Sequence, residues 1–534
     1  MPIVESNMSH SNAVSDIDAG QTSLLVRELL FNNRDASTLW VVEDNVRWTL
    51  ADMRDNVFRL ASVLKSKSIQ SGDRVALLFQ NQKEYLAAFF AILHIGAVVV
   101  PINSTIPVED MAYVLKDSGA KLILSDAVFA PLLEKMPFPV LMTNSPNEVQ
   151  FPSLEKAIEA GNSTCVGHPP ADDKTMRILM YTSGTTGKPK GVMLTEQNLL
   201  ANMEGVHSVF PLDITQERML LALPLFHAYG QIIALYAFKC SVPLYLVPNF
   251  SPKKIVQVLT EQSITVLPLV PTFYSLILSS VAKLGPEPFK NLKYCVSGGA
   301  ALPAKLLQKI QDVFPQLTVL EGYGLTETAP VLAVSSMKEG SVPLSVGYPL
   351  PNLKIELLDD EGNVLPIVKG SKSPEGEVVA SGPNVMLGYY NLPDATNEAF
   401  ASGHRFKTGD LGHFDEAGHL FISGGRKKDL IIKSGENISP MRIEHSIHEH
   451  PAVRDVAVIG LPDEKLGEEV FACLVLAPEA AGKLDENELK KFLKDRLPPF
   501  MMPKAIYFYD ELPKNATGKI LKPELKKQLL EKSQ

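Results

Sequence analysis

Short aliphatic runs alternate with helical patterns of apolar and polar residues through the first part of the chain. Aliphatic runs cover 74–79, 97–102 and 121–125, with a helix reaching about His94 after the first and another beginning at Val108 after the second. Strands that alternate with helices in this way predict parallel βαβ units. The pattern therefore predicts an α/β fold.

The same alternation returns later in the chain and predicts a second sheet packed on the first through helices. Its predicted strands are 242–247, 264–269, 294–297 and 317–323, and its predicted helices are 252–262, 271–283 and 303–314. Glycine-rich segments at 297–299 and 321–324 fall at strand ends. Because open α/β sheets bind ligands at the carboxyl ends of their strands, these segments are predicted to border an active site.

The pattern of predicted elements changes near residue 340, from alternating strands and helices to strands separated by turns. Turn signals at 360–363 and 415–418 separate alternating strands, which predicts a β-rich subdomain over about 340–427. A compact strand and helix pattern follows and predicts a separate small α+β lid over 428–534, with the domain boundary at Lys428. The large domain is predicted over 25–427, preceded by a disordered tail at 1–24.

Composition is that of a soluble globular protein with two or more domains: 534 residues, 45% hydrophobic and 21% charged. A net charge of -9 argues against a nucleic-acid partner. The four cysteines are far apart and form no CxxC pair, which favours reduced thiols in the cytoplasm. The apolar segment 85–100 is short for a bilayer span and predicts a buried helix that runs into a strand.

Residues 181–190 combine hydroxyl side chains, two glycines and two lysines directly after an apolar run. Glycines let the backbone approach an anion, hydroxyls and amides donate hydrogen bonds, and lysines offset phosphate charge. Only two residues separate Gly184 from Gly187, and Pro189 follows Lys188, so this is not a Walker loop. A solvated linker is the alternative for this stretch taken alone.

Four further motifs follow in order, at 323–327, 408–410, 425–429 and 513–519. With the first, they resemble the adenylate-forming superfamily of acyl-CoA synthetases, peptide-synthetase adenylation domains and firefly luciferase. The resemblance covers residues from about 25 to about 530 and is strongest to fatty acyl-CoA ligases. It implies ATP as a substrate, Mg²⁺ as a cofactor and a thiol acceptor.

The resemblance implies a nucleotide site built from several of these motifs. Tyr323 suits stacking on adenine, a carboxylate at Asp410 can accept hydrogen bonds from ribose hydroxyls, and Arg426 can reach the ribose or a phosphate. The implied ATP- and AMP-binding residues are Thr182, Ser183, Gly184, Thr185, Thr186, Lys190, Gly299, Ala300, Ala301, Glu321, Gly322, Tyr323, Gly324, Thr326, Asp410 and Arg426.

Candidate catalytic residues are Lys519, Thr326, Glu327 and His227. A carboxylate beside a triphosphate suits Mg²⁺, which prefers oxygen ligands, so Glu327 is the predicted metal ligand. The resemblance places Lys519 against the carboxylate and the α-phosphate, where it would stabilise developing charge. His227 is predicted to guide the carboxylate or to line the acyl pocket, with a buried structural histidine as the alternative.

The predicted acyl pocket is small and mostly apolar: His227, Tyr229, Gly230, Thr272, Gly298, Pro330 and Val331. It holds no carboxylate to recognise an amino group, which disfavours an amino acid substrate. A medium- or long-chain fatty acid is the predicted substrate, with aryl acids second.

The implied mechanism has two steps. The carboxylate attacks the α-phosphorus of ATP to give an acyl-adenylate and pyrophosphate, and the thiol of CoA then attacks the mixed anhydride. The resemblance implies that the lid turns about Lys428 between these steps and presents Lys433, Ser434, Gly435 and Glu436 to the thiol. The oligomeric state is not predicted.

Three other functions fit the same motifs. The acceptor is an acyl carrier protein in one of them, which would make the protein a loading enzyme for a biosynthetic pathway. A second is an ATP-binding module without catalysis, although Lys519, Glu327 and Asp410 together argue against it. Luciferase-type oxygenation is a remote third.

Overall fold

A computed structural model describes residues 22–532 of the chain. Within this range it leaves out 32–33, 165–166, 168–171, 173, 183–187, 214, 250, 286, 427–429, 434–435, 464–465, 481–483, 495, 516–517 and 519.

Described helices and strands alternate through the large domain as the hydrophobic pattern predicts. The helices are α1 Leu24–Val26, α2 Leu50–Ser66, α3 Lys83–His94, α4 Val108–Ser118, α5 Ala130–Leu133, α6 Leu154–Ala160, α7 Glu196–Val209, α8 Ala228–Lys239, α9 Pro252–Gln262, α10 Pro271–Leu284, α11 Ala304–Val313 and α12 Pro393–Ala399. The strands are β1 Leu39–Glu43, β2 Val46–Thr49, β3 Arg74–Leu78, β4 Val98–Pro101, β5 Ala120–Asp126, β6 Val140–Thr143, β7 Ile178–Thr182, β8 Lys190–Leu194, β9 Met219–Leu221, β10 Leu244–Leu246, β11 Val266–Leu269, β12 Tyr294–Ser297, β13 Thr318–Gly324, β14 Val331–Val334, β15 Tyr348–Pro349, β16 Lys354–Leu358, β17 Gly376–Ser381, β18 Gly388–Tyr389, β19 Phe400–Ala401, β20 Arg405–Phe414 and β21 Leu420–Arg426.

Two large sheets confirm the predicted α/β architecture. One has the strand order β18-β8-β7-β4-β3-β5-β6 and the other β15-β14-β13-β12-β11-β9-β10-β1-β2. The central strands of both run parallel, whereas β8 with β18 and β14 with β15 add antiparallel edges. Parallel strands bring the ends of β12 and β13 to one edge, because Ser297 pairs with Glu321.

The main core lies between the two sheets and is filled by helices and large aromatic side chains. Helix α3 carries no charged side chain between Tyr85 and His94, and all of these residues are buried. A helix that is apolar on every side is stable only where protein covers every face. Phe90 of this helix packs on Phe238 of α8, with ring centroids 5.9 Å apart. The prediction of a buried helix over this segment is confirmed.

The described part of the chain begins at Thr22, just before the predicted start of the large domain at residue 25. Thr22 and Ser23 are buried, and Thr22 Oγ1 lies 2.8 Å from Nδ1 of the buried His94. The amide of Leu25 donates to the carboxylate of Glu196 in α7, at 2.5 Å. These contacts attach Thr22 and Leu25 to α3 and α7, so residues 22–24 pack on the large domain.

The β-rich subdomain is a five-stranded sheet with the order β16-β17-β20-β19, and β21 pairs with β20. The turn predicted at 415–418 joins β20 to β21 as a hairpin. The turn at 360–363 leads instead to a single bridge between Leu358 and Val364, and the next strand begins at Gly376. Pro366 and the polar residues of 369–374 follow this bridge and do not continue a strand.

The lid has its own sheet and core. Its strands are β22 Ile431–Lys433, β23 Glu436–Ile438, β24 Val453–Asp463, β25 Gly467–Leu476 and β26 Ala505–Phe508, and its helices are α13 Pro440–His448, α14 Glu486–Leu493 and α15 Lys522–Lys532. Ile443, Val458 and Leu489 belong to a buried cluster between the sheet and α13 and α14. Among the described helices of the whole chain, none combines the length and apolar character needed to cross a membrane.

Candidate active site

The phosphate-loop motif connects two antiparallel strands. Thr182 ends β7 and Lys190 begins β8, and the two are direct partners in the ladder. Both are half-buried. The predicted residues Ser183, Gly184, Thr185 and Thr186 between them lie outside the described residues. The described ends of the motif thus place Thr182 and Lys190 side by side at the edge of a sheet.

Two aromatic residues anchor the base of this loop. Tyr181 donates a hydrogen bond to the Asp117 carboxylate in α4, at 2.6 Å. Burial raises the pKa of Tyr181, and the neighbouring carboxylate adds to the effect. Lys188 Nζ lies 5.0 Å from the ring centroid of Tyr113, within the range of a cation–π contact. Helix α4 therefore holds both sides of the loop.

One wall of the predicted adenine site lies where β12 and β13 end. Gly299, Ala300 and Ala301 follow β12 and are exposed, so their small side chains leave an open surface. Glu321 of β13 is buried and accepts a hydrogen bond from the Leu302 amide at 2.9 Å. Burial raises the pKa of the Glu321 carboxyl to about 8, and this hydrogen bond opposes the rise. Glu321 thus fixes the position of the loop that contains Gly299, Ala300 and Ala301.

The predicted adenine and ribose residues are in direct contact. Tyr323 donates its hydroxyl to Asp410 Oδ2 at 2.6 Å, although the two come from different sheets. Asp410 pairs with Arg426 across β20 and β21, so the backbone of Arg426 lies beside it, while the arginine side chain is outside the described part. Gly322 and Gly324 flank Tyr323 at the end of β13.

Thr326 and Glu327 form a short 3-10 turn directly after β13. Glu327 Oε1 accepts a hydrogen bond from the hydroxyl of Tyr389 at 2.9 Å, and Lys190 Nζ lies 5.1 Å from the ring centroid of Tyr389. The carboxylate of Glu327 therefore lies on the same side of the site as Lys190, the lysine that is predicted to bind phosphate. An oxygen ligand next to phosphate groups suits Mg²⁺, so the chemistry of this donor fits the predicted metal.

Buried asparagines hold the segment that carries Glu327. Asn202 of α7 donates to the Val331 carbonyl at 2.7 Å and accepts from the Val331 amide at 3.2 Å. Asn384 donates to the Thr328 carbonyl at 2.8 Å. Both asparagines are almost completely buried. Pro330 is buried and Val331 begins β14. These two predicted acyl-pocket residues therefore lie in the segment that the asparagines hold, together with Glu327, the predicted metal ligand.

His227 has a structural role as the N-cap of α8, in addition to its predicted catalytic role. Its Nδ1 accepts a hydrogen bond from the Tyr229 amide at 3.3 Å. In a neutral imidazole an accepting Nδ1 leaves the proton on Nε2. This tautomer can donate to a carboxylate, so the cap and the predicted role of guiding the substrate are compatible.

Tyr229 and Gly298 form one contact of the predicted acyl pocket. The Tyr229 hydroxyl donates to the Val296 carbonyl at 2.8 Å, and an added Cβ at Gly298 would lie 3.0 Å from the Tyr229 ring. Gly230 packs differently, because an added Cβ would lie 2.2 Å from the Pro224 carbonyl oxygen. Gly230 therefore allows α8 to approach the chain before it.

The lid contacts the large domain beside this pocket. Thr272, the second residue of α10, donates to the Gly518 carbonyl at 3.4 Å. The candidate catalytic Lys519 is the next residue but lies outside the described residues, as do the predicted hinge Lys428 and the predicted thiol-channel residues Ser434 and Gly435. Lys433 forms an ion pair with Glu469 inside the lid. Glu436 is in β23, and its side chain is outside the described part.

Sequence reasoning missed several residues that build this site. Tyr389, Asn202 and Asn384 touch the segment of Glu327 but belong to none of the five motifs. Tyr389 follows Gly388 in an otherwise irregular stretch, and that pairing of glycine with an aromatic residue is a weak signal. The asparagines gave no signal, because their importance depends on burial.

Comparison with known proteins agrees with the geometry over almost the whole chain. The family described as AMP-binding enzyme matches residues 31–390, and the family described as AMP-binding enzyme C-terminal domain matches 442–519. The chain is 33% identical over 510 residues to a long-chain-fatty-acid–CoA ligase of Bacillus subtilis, covering 89% of each chain. It is 34% identical over 482 residues to a feruloyl-CoA synthase of an Amycolatopsis species, covering 90% of this chain and 93% of the relative.

A solved structure extends the similarity to three dimensions. ATP-bound MatB from Rhodopseudomonas palustris is 30% identical and superposes with a TM-score of 0.86, covering 96% of this chain and 98% of MatB. Superposition on the apo form of MatB gives a lower TM-score of 0.76. The structure of this chain as a whole is thus more similar to the ATP-bound form than to the apo form.

Proposed function

This chain belongs to the AMP-binding enzyme family and is an AMP-forming acid–thiol ligase, and from that membership we propose that it joins a medium- or long-chain fatty acid to CoA. The observation that carries the choice of acid is the composition of α8, whose second and third residues, Tyr229 and Gly230, are predicted to line the acyl pocket. Residues 228–238 of this helix are all uncharged. A pocket bordered by such a helix suits an aliphatic chain. The similarity to the Bacillus subtilis ligase supports the same acid class.

In the first step the chain's residues hold ATP so that the acid carboxylate can attack the α-phosphorus. Thr182 and Lys190 would contact the β- and γ-phosphates, and Tyr323 and Asp410 would contact the adenine and the ribose. Mg²⁺, held by Glu327, would neutralise phosphate charge. His227 would orient the carboxylate through Nε2, and Lys519 would stabilise charge at the α-phosphate. The acid oxygen forms the new bond to phosphorus, and pyrophosphate leaves.

In the second step the thiol of CoA attacks the acyl carbonyl and AMP leaves. Gly518 packs on Thr272 in the present arrangement, beside the predicted acyl pocket. We propose that Lys519 acts at the α-phosphate in the first step and there blocks the channel that a pantetheine arm needs in the second. We therefore propose that the lid turns about Lys428 and brings the loop of Lys433 and Glu436 to the thiol. We further propose a cytoplasmic location, which is supported by the free thiols of the three described cysteines, Cys240, Cys295 and Cys473.

Acid-dependent exchange of labelled pyrophosphate into ATP tests the proposal, followed by mass spectrometry of the thioester. Octanoate, palmitate, ferulate, malonate and glycine are the acids to compare, and CoA and an acyl carrier protein are the acceptors. We expect the two fatty acids to give the highest exchange and CoA to give the product. Higher exchange with ferulate, or a product only on the carrier protein, would overturn the proposed substrate or acceptor.

Replacing the candidate catalytic lysine tests the first step. We expect Lys519→Ala to reduce exchange by roughly a hundredfold or more, because an electrostatic group aimed at developing charge contributes on that order. Lys527→Ala is the matched control, since Lys527 is an exposed lysine of the same lid. Equal activity of the two variants would contradict the role of Lys519.

A further inference from the structure

Tyr389 lies between the two charged side chains that the proposed function assigns to the triphosphate. Its hydroxyl donates to Glu327 Oε1 at 2.9 Å. Its ring faces Lys190 Nζ, which is 5.1 Å from the ring centroid. One side chain outside the five motifs therefore contacts both the candidate metal ligand and the candidate phosphate lysine.

The backbone around Tyr389 is attached to the same two elements. Tyr389 pairs with Val192 of β8, the strand that begins at Lys190, and the Tyr390 amide donates to the Gly191 carbonyl at 2.7 Å. The Met386 amide donates to the Glu327 carbonyl at 2.9 Å. These bonds fix the distance between the phosphate-loop strand and the turn of Glu327, so the ring and hydroxyl of Tyr389 are held in place from both sides.

The charges explain why a tyrosine at this position matters. Lys190 and Glu327, both within the described part of the chain, form no ion pair with each other. A direct pair would neutralise the lysine that the phosphates need and the carboxylate that the metal needs. The aromatic face offers the ammonium group an alternative partner. The hydroxyl orients the carboxylate through one oxygen and stabilises its charge.

We infer that Tyr389 is a positioning residue for MgATP: it keeps Lys190 and Glu327 apart and orients the Glu327 carboxylate toward the metal. This inference rests on the proposed function, because it requires Glu327 to face the metal that accompanies ATP. The hydroxyl acts on Glu327 and the ring acts on Lys190, so the two contributions are separable by substitution.

Nucleotide binding by the full chain tests the inference without any acid or CoA. Calorimetric titration with α,β-methylene-ATP gives one affinity with Mg²⁺ and another with EDTA, and the ratio is the gain due to the metal. The variants are Tyr389→Phe, which keeps the ring, and Tyr389→Leu, which removes both groups. Tyr390→Phe is the control, since it removes a hydroxyl from the adjacent residue.

We expect Tyr389→Phe to bind the analogue in EDTA within about twofold of the wild type and to lose roughly tenfold of the gain due to Mg²⁺, the order expected for a hydrogen bond to a charged group. We expect Tyr389→Leu to lose affinity in EDTA as well, because Lys190 loses the aromatic face. The Tyr390→Phe control should change neither value.

Two results would overturn the inference. One is a gain in affinity due to Mg²⁺ that is the same in Tyr389→Phe as in the wild type, whether or not the wild type shows any gain. The other is an equal loss with Mg²⁺ and with EDTA, together with a lower free energy of unfolding, which would make Tyr389 only a packing residue. Failure of the proposed function appears separately, as a wild type that binds the analogue but activates no acid.

Discussion

At the scale of single residues, the glycines around Tyr323 differ sharply in the room that each has. An added Cβ at Gly324 would lie 1.8 Å from the Pro330 carbonyl oxygen, whereas the nearest atom to an added Cβ at Gly322 is 3.9 Å away. Both residues belong to the glycine-rich segment 321–324 and to β13. The segment therefore combines a glycine required by close backbone packing with one that has space around it.

This difference predicts unequal effects of two alanine substitutions. We expect Gly324→Ala to lower the free energy of unfolding by about 2 kcal/mol or more, because β13 must move away from the segment that follows Glu327. We expect Gly322→Ala to change it by less than about 0.5 kcal/mol. Urea denaturation of both variants measures the difference. Similar losses in the two proteins would contradict the packing argument.

The buried carboxyl of Glu321 gives stability a specific pH dependence. Its pKa rises from 4.5 to about 8 on folding, so the folded state holds a proton that the unfolded state releases. The contribution is fully present below pH 4.5, falls as the pH rises and stops falling above about pH 8. We expect the wild type to lose stability relative to Glu321→Gln across this window. Urea denaturation at several pH values checks this, and a constant difference between the proteins would contradict it.

At the scale of elements, helix α7 connects two segments of the site to the core. Asn198 donates to the Pro383 and Val385 carbonyls at 2.7 and 3.0 Å, and Asn202, one turn later, binds Val331. Residues four apart lie on the same face of a helix. The capping box formed by Thr195 and Asn198 fixes the start of this helix. Helix α7 thus sets the position of the Glu327 segment relative to that of Tyr389.

Removing one of these asparagine contacts should weaken both the fold and nucleotide binding. We expect Asn202→Ala to lower the free energy of unfolding by about 2 kcal/mol, because the Val331 amide loses its acceptor in Asn202 and the Val331 carbonyl keeps only the longer bond from Asn384, at 3.2 Å. Its effect on affinity for α,β-methylene-ATP with Mg²⁺ should be larger than its effect in EDTA. Asn397→Ala is the control, since Asn397 is exposed in α12. Identical free energies of unfolding of the two variants would contradict the role of Asn202 in holding the segment that carries Glu327.

At the scale of the whole molecule, a contact between Gly518 and Thr272 joins the lid to the large domain next to the predicted acyl pocket. Gly518 packs on Thr272 and Val270, with an added Cβ at Gly518 lying 3.4 Å from the Cβ of Thr272. The proposed second step of the reaction requires this contact to break.

A disulfide across this contact should therefore separate the two steps. The Cβ atoms are close to the spacing of about 3.5 to 4.5 Å found in disulfides, so we expect Thr272→Cys with Gly518→Cys to oxidise in a Cys165→Ser background. We expect the oxidised protein to keep pyrophosphate exchange and to lose thioester formation until a reductant is added.

The two single-cysteine variants control for the loss of either native side chain, including the strain of a side chain at Gly518, whose φ is +76°. Their exchange rates set the reference for the double variant. Thioester formation by the fully oxidised protein at the rate of the single variants would refute lid rotation.

The sequence by itself determined the architecture and the local placement of the motifs. Hydrophobic periodicity predicted α3, α9 and β12 near their observed bounds, because burial of an apolar face follows local spacing. The glycine-rich segments at 297–299 and 321–324 follow from the same reasoning, since they stand where predicted strands end. The order of the five motifs along the chain indicated the family to which the protein belongs.

Only the tertiary structure decided which residues meet across the site. Tyr389 and Glu327 are 62 positions apart, and Tyr323 and Asp410 are 87 apart, so no local pattern relates them. The roles of Asn202 and Glu321 depend on burial, which converts an ordinary polar side chain into one that must find a partner. The same holds for Thr22 and Gly230, because their neighbours come from distant parts of the chain and are brought together by packing of the two sheets.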